Sequence, residues 1–180
     1  MLSPRQQLKR LLAGPEIIQA CGVGDAGYAT LVQEAGFPAV YMSGSFVSFT
    51  YGLPDVGYLT LPEMAARVAD IVRRIQIPLI ADADDGYGDA IAVTRTVQEY
   101  EKAGVAAFHL EDEFPKKFGI LASAESMVTH VKAAVAARSD PDMLIIARTD
   151  AMRPWRKDLK SGTPEDDTLR RCLAYVEAGA

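Results

Sequence analysis

Acidic side chains recur along this sequence at places where apolar runs end. Asp82, Asp84 and Asp85 crowd three carboxylates into four residues, and Gly86 and Gly88 follow at once. Packed together, such groups repel and raise one another's pKa values. A solvated acidic turn would avoid that penalty, and a hard divalent cation would remove it. The cation is the preferred reading: oxygen-only ligands suit Mg²⁺ rather than zinc, with Mn²⁺ as the alternative metal, and glycines let the chain turn tightly around an ion. A second acidic end, His109-Leu110-Glu111-Asp112-Glu113, offers Glu111 to complete the ion's shell directly or through water. His109, one residue from a strand interior, reads as a packed, hydrogen-bonded histidine rather than a base. Arg148 ends a third apolar run, where a guanidinium either binds a substrate carboxylate bidentately or pairs with the acidic cluster. Tyr41-Met42-Ser43-Gly44-Ser45 ends a fourth, and its small residues either bring backbone N–H groups close to an anion or form a plain turn. Asp55, in the loop Gly52-Leu53-Pro54-Asp55, reads from spacing alone as a turn residue. The basic segment Phe114-Pro115-Lys116-Lys117-Phe118-Gly119 is suited to close over an anionic substrate.

The elements that must position these groups follow from periodicity. Short, almost continuously apolar runs at 17–20, 39–42, 77–81, 106–110 and 143–147 read as strands covered on both faces. Helical patterns fill about 25–35, 61–75, 89–103, 124–138 and 164–178, with Thr60 and Thr163 as caps, and a further helix opens at Ser3-Pro4 and stops at Gly14. Alternation of this kind implies parallel strands joined by right-handed crossovers. Parallel α/β folds place their sites beyond the C-terminal ends of the strands, where all the groups above lie. A helix-Gly-strand junction recurs at Ala35-Gly36-Phe37 and Ala103-Gly104-Val105, and the last residues, Ala178-Gly179-Ala180, repeat its beginning. The expectation is a single α/β domain over 1–180 whose five βα units form either an open doubly wound sheet, which could be complete at this length, or the first five units of a (β/α)8 TIM-type barrel, which typically takes about 250 residues. The repeated junction favours the barrel.

The chain has 180 residues, 49% of them hydrophobic, and a formal charge of −5. That composition excludes disordered, collagen-like and disulfide-rich classes, and the absence of a basic stripe argues against a nucleic-acid partner. Cys21 and Cys172 are far apart and fit a reducing cytosol. No apolar run approaches the roughly 20 residues that span a bilayer, and the polar N-terminus is no signal peptide. The expectation is a cytoplasmic protein with no membrane partner.

Taken in order, Ser43-Gly44-Ser45, Gly52-Leu53-Pro54-Asp55, Asp82-Ala83-Asp84-Asp85-Gly86-Tyr87-Gly88, His109-Leu110-Glu111-Asp112 and Ala147-Arg148-Thr149-Asp150-Ala151 resemble the isocitrate lyase/phosphoenolpyruvate mutase superfamily. The likeness is strongest to its methylisocitrate-lyase-like and oxaloacetate-decarboxylase-like branches. It implies a (β/α)8 barrel, a homo-oligomer that is usually a tetramer, and Mg²⁺-dependent chemistry on a small-molecule carboxylate, an α-oxo or 2-hydroxy acid. By motif position, Asp82 is the implied direct Mg²⁺ ligand, and Asp84, Asp55 and Glu111 hold metal-bound waters. Ser43, Gly44 and Ser45, with Tyr41 nearby, and Arg148 are the implied substrate-binding residues. Lys117 and Gly119 occupy the positions of the family's mobile catalytic loop.

That loop departs from the family. Lyases carry Lys-Lys/Arg-Cys-Gly-His there, and the Cys is the expected acid; here Phe118 stands at the Cys position and Ile120 at the His position. Phenylalanine cannot donate a proton, and the Asn of the mutase branch is absent as well. The leading reading is therefore a carbon–carbon lyase working through a metal-stabilised enolate, with decarboxylation of oxaloacetate-like acids ranked above cleavage of methylisocitrate-like acids. The alternatives are a phosphonomutase-type enzyme acting on a C–P bond and a non-catalytic carboxylate-binding homologue. An open α/β phosphate-binding domain ranks lower, because Cys21-Gly22-Val23-Gly24-Asp25 supplies only G-x-G.

Overall fold

The computed structural model describes residues 2–113, 120–154, 156, 158, 159 and 162–180. Five strands, β1 (Ala20–Val23), β2 (Ala39–Met42), β3 (Leu79–Asp82), β4 (Ala107–Glu111) and β5 (Leu144–Arg148), form one parallel sheet in the order of the sequence. A doubly wound sheet reverses its strand order at a switch point, and this one does not, so its topology is that of a barrel wall. Between the strands run α2 (Ala26–Glu34), α4 (Leu61–Val72), α5 (Ala90–Ala103) and α6 (Ala124–Ala137), with α7 (Pro164–Glu177) after β5. These five helices pack side by side in chain order against one face of the sheet. Gly104 ends α5 in the left-handed region at φ 93°, as the recurrent helix-Gly-strand junction requires.

Alternation along the strands sorts the residues. Val40, Met42, Leu79, Ala81, Phe108, Leu110 and Ile145 join the core beneath the helices, where Met64, Val68, Ile71, Val97, Tyr100 and Met127 meet them. The opposite face carries Tyr41, Asp82, His109, Glu111 and Arg148, cross-paired as Asp82 with His109 and Glu111 with Arg148. The strands thus read as apolar because of their helix-facing residues, while polar groups gather at the C-terminal ends of the other face. At the N-terminal end, α1 (Pro4–Leu12) packs Leu8 against Ala106 and Ala107. Arg5 holds it there, donating to the carbonyls of Val105 and Glu101 at 2.9 and 2.8 Å and pairing with Asp140 at 2.6 Å.

Two elements differ from the expectation. The first strand lies at Ala20–Val23 rather than 17–20, and Ile17 is 91% exposed. Its glycines mark close packing instead of a phosphate turn, for a Cβ on Gly24 would sit 2.5 Å from the carbonyl oxygen of Phe46. A short helix, α3 (Gly44–Thr50), follows β2 where a loop was expected, capped by Ser43, whose hydroxyl accepts from the N–H of Phe46.

One buried charge ties α7 to the strand ends. The Asp112 carboxylate, with no solvent exposure, accepts from Thr149 Oγ1 at 2.7 Å, the Asp150 N–H at 3.0 Å, Arg171 at 2.9 Å and Tyr175 Oη at 2.8 Å. Removing one partner of such a pair strands the other without compensation. Asp112→Ala is expected to lower unfolding stability by about 3–5 kcal/mol, measured by urea denaturation.

Candidate metal and carboxylate site

The C-terminal ends of β2, β3, β4 and β5 converge on Asp82. Its Oδ2 accepts from the Gly44 N–H at 2.9 Å and from Tyr41 Oη at 3.3 Å, and its Oδ1 accepts from the Asp84 N–H at 3.0 Å. Tyr41 Oη also lies 2.7 Å from His109 Nε2, and the two rings stack at 5.6 Å. His109 is buried, and burial lowers its pKa, so the imidazole is neutral at pH 7. The satisfied arrangement runs one way: Nε2–H donates to Tyr41, whose hydroxyl donates to Asp82. This leaves His109 Nδ1, which has no partner among the described residues, with an unused lone pair instead of a more costly orphaned N–H.

The acidic residues divide by role. Asp84 sits at φ 46°, its carbonyl accepting from the Glu111 N–H at 2.9 Å, so that the β3 and β4 ends are stitched together. Burial first, then Asp82, Asp85 and Asp55, push its carboxyl up to about 8. Glu111 is pushed up to about 9, by burial above all and by Asp82 and Asp84, even though Arg148 beside it at 2.7 Å acts in the opposite sense. Asp85 is instead a turn residue, accepting from the Tyr87 N–H at 2.9 Å. Asp55 stands in the exposed loop before α4, yet partial burial and the charge of Asp82 still raise its pKa.

Arg148 pairs with the acidic cluster. It pairs with Glu111 across the β4–β5 register and is gripped by Asp150, Nε and Nη2 donating to the two carboxylate oxygens at 3.2 and 3.0 Å. Ser43, Gly44 and Ser45 lie against the same cluster, but the Gly44 N–H is directed at Asp82, and the Ser43 and Ser45 hydroxyls bond each other at 3.0 Å. The structure therefore brings together Tyr41, Ser43, Gly44, Ser45, Asp82, Asp84, Glu111 and Arg148, with Asp55 at the margin; Lys117 and Gly119 lie outside the described residues. Sequence reasoning missed Tyr100, which looks like an ordinary core aromatic of α5. Its buried hydroxyl donates to the Asp82 carbonyl at 2.7 Å and bonds Tyr87 Oη at 3.0 Å. It also missed Asp150, whose only signal was its place two residues after Arg148.

The donor set fits a hard divalent cation. Asp82 and Glu111 offer carboxylate oxygens that lie, with a ring nitrogen of His109, within 4.8 Å of one another, and Asp84 adds a carboxyl held protonated by burial and repulsion. A cation replaces those protons and removes the repulsion.

Comparisons with known proteins show the family of the chain. Residues 8–180 match the phosphoenolpyruvate phosphomutase family. The 2,3-dimethylmalate lyase of Eubacterium barkeri is 46% identical over 97% of this chain and 60% of its own length. The 2-methylisocitrate lyase of Shewanella oneidensis is 37% identical over 97% of the chain and 59% of its own length. Among solved structures, a phosphonopyruvate hydrolase complexed with oxalate and Mg²⁺ superposes with a TM-score of 0.90 at 33% identity, covering 99% of this chain and 61% of that one. The chain thus spans about three fifths of the length of the curated relatives it matches.

Two outcomes follow for the chain itself. In the metal-free state the folded protein holds protons on Asp84 and Glu111 that the unfolded chain, with ordinary carboxyl pKa values, releases. Their stabilisation is complete below about pH 4 and is lost as pH rises through 8 and 9. Above pH 7 His109 is neutral in both states and adds no slope. In EDTA the urea midpoint should fall from pH 7 to pH 9.5, by at most about 1.4 kcal/mol per pH unit for each group, and Mg²⁺ should flatten that fall. Midpoints indifferent to EDTA throughout would contradict the assignment. Gly44→Ala places a Cβ 2.9 Å from Asp82 Oδ2. It should weaken Mg²⁺ binding by about 10–100-fold in calorimetry, with the far-ultraviolet dichroism of the fold retained.

Proposed function

This chain belongs to the phosphoenolpyruvate phosphomutase/isocitrate lyase superfamily, and on that premise we propose that it carries the metal and carboxylate site of a Mg²⁺-dependent carbon–carbon lyase. Its substrate is a small α-oxo or 2-hydroxy di- or tricarboxylate. The observation that carries the reading is the buried group Asp82, Asp84 and Glu111, in which burial and neighbouring carboxylates raise the pKa values of Asp84 and Glu111, set beside the Arg148 guanidinium. When bound, Mg²⁺ supplies a Lewis acid that draws off the charge developing on the substrate oxygen as the bond breaks. Asp82 holds the ion directly, and Asp84, Asp55 and Glu111 hold its waters. Arg148 orients a substrate carboxylate against the ion as a planar, bidentate donor, and the Ser43 and Ser45 hydroxyls offer further donors on the β2 side. Lys117 and Gly119 are assigned to the same site by motif position alone.

The relatives' substrates fall in this chemical class: 2,3-dimethylmalate is a 2-hydroxy dicarboxylate and 2-methylisocitrate a 2-hydroxy tricarboxylate. Phe118 bears no proton to give a departing carbanion. That favours substrates whose product solvent can protonate, so oxaloacetate-like decarboxylation ranks above aldol-type cleavage. A C–P bond-breaking role is the second reading, favoured by the likeness to phosphonopyruvate hydrolase. We further place the protein in the cytoplasm as a homo-oligomer, usually a tetramer in this superfamily; Cys21 and Cys172 are both free, as a reducing compartment requires. No described helix is long and apolar enough to cross a membrane.

Cleavage of oxaloacetate, 2-methylisocitrate or 2,3-dimethylmalate in this way yields pyruvate, so one coupled assay tests all three. Pyruvate release above the Mg²⁺-only control is expected, abolished by EDTA, with Arg148→Gln lowering kcat/KM on the order of 10²-fold. Calorimetry with oxalate is expected to show binding that requires Mg²⁺. Background rates with no such binding would overturn the proposal. Binding without turnover would select a carboxylate-binding homologue, and phosphate release from phosphonopyruvate would select the C–P reading.

A further inference from the structure

Arg148 is held by a device built from Asp150, Asp112 and α7. Asp150 grips its guanidinium through two hydrogen bonds, and Asp150 is itself fixed by its backbone, whose N–H donates to Asp112 Oδ1 at 3.0 Å. The intervening Thr149 donates its hydroxyl to Asp112 Oδ2 at 2.7 Å. Asp112 thus fixes both residues that follow Arg148, and it immediately follows Glu111, the other partner of the guanidinium. The Asp112 N–H also bonds the Arg148 carbonyl at 3.3 Å.

The opposite side of Asp112 is bound to α7. Arg171 Nη1 reaches its carboxylate at 2.9 Å, the Ala122 carbonyl at 2.8 Å and Tyr175 Oη at 3.2 Å, while Arg171 Nε donates to Asp167 at 3.0 Å. Arg171 and Asp112 are 5% and 0% exposed at their side chains. A buried ion pair is poor value as a source of stability alone, because desolvation offsets most of its attraction. Here it does something an apolar pair would not: it presents a fixed acceptor to the two residues that aim Arg148.

We infer that Asp112, clamped by Arg171 and Tyr175 of α7, is a positioning residue that sets the direction of the Arg148 guanidinium and through it the affinity for a substrate carboxylate, without touching either metal or substrate. The inference rests on Arg148 being the carboxylate donor proposed above. It separates two properties that a merely structural residue would change together. Asp82 keeps its own supports from Gly44, Tyr41 and Tyr100, none of which belongs to the Asp112 network.

The test uses Asp112→Asn and Thr149→Val in the full 180-residue chain. Thr149→Val removes the hydroxyl that donates to Asp112 and accepts from the Ala151 N–H but leaves the Asp112–Arg171 pair in place, and so decides the matter should Asp112→Asn not fold. Calorimetry with Mg²⁺ alone, and with oxalate in saturating Mg²⁺, is paired with the NMR signal of the Arg148 Nε–H in ligand-free protein, assigned by its loss in Arg148→Gln. The expected result is an oxalate Kd raised about tenfold or more, a Mg²⁺ Kd changed less than about threefold, and a shifted or faster-exchanging Arg148 Nε–H. Unchanged oxalate binding, or equal loss of Mg²⁺ and oxalate binding, overturns the inference. If the unsubstituted chain binds no oxalate with Mg²⁺, the functional reading falls separately. The Nε–H signal then decides the positioning role: a shift in Thr149→Val sustains it, and an unmoved signal overturns it.

Discussion

Mutual repulsion among carboxylates that the fold forces out of water is the constraint around which this structure is arranged. Asp82, Asp84 and Glu111 meet at the ends of adjacent strands, and burial and proximity hold Asp84 and Glu111 protonated at neutral pH. Several neighbouring donors relieve that load. The Gly44 and Asp84 N–H groups and the Tyr41 hydroxyl serve Asp82, and Arg148 serves Glu111. A site that costs this much without its ion is poised to gain from one, since a divalent cation exchanges protons for charge compensation.

The rest of the chain is the support that makes such crowding tolerable. The core beneath the helices holds the five strands in parallel register so that their ends cannot spread. Tyr100, fully buried in α5, bonds the Asp82 carbonyl and so connects the helix layer to the opposite face of the sheet. Asp112 makes the equivalent connection from α7 to Arg148, which is why a charged pair is found where an apolar one would pack more cheaply. Two networks, one from α5 and one from α7, thus reach the same site from different sides, one ending on Asp82 and the other behind Arg148.

How much was legible in the sequence depended on whether a signal was local. Strands β2 to β5 and helices α2 and α4 to α7 were readable because an apolar run bounded by Gly or by a Thr cap is a property of adjacent residues. Strand β1 was misplaced by three residues: Ile17 and Ile18 are apolar, whereas Gly22 and Gly24, which look like turn residues, are strand or strand-end residues kept small by the approach of Tyr41 and Phe46. Helix α3 was missed because Ser43-Gly44-Ser45 has the composition of a loop, and only Ser43 capping Phe46 reveals a helix start. In the site, Asp82, Asp84, Glu111 and Arg148 were found because acids and a cation at strand ends are hard to explain otherwise. Asp55 was not favoured by spacing, and the loop holding it meets the cluster only in three dimensions.

By itself, then, the sequence determined the kind of fold and the residue types gathered at its strand ends: parallel βα units in repetition, carboxylates that could hold a hard cation, and an arginine beside them. These are matters of residue type and period, which neighbouring positions suffice to specify. Tertiary structure alone decided the charge states and the aim. Whether a carboxyl sits near 4 or is pushed up to about 9 depends on burial and on charges contributed by other strands. Where Arg148 points depends on Asp150 and on Asp112, whose own hold comes from a helix about sixty residues further along the chain. No local pattern encodes either, because both arise where segments distant in sequence exclude water from the same small volume.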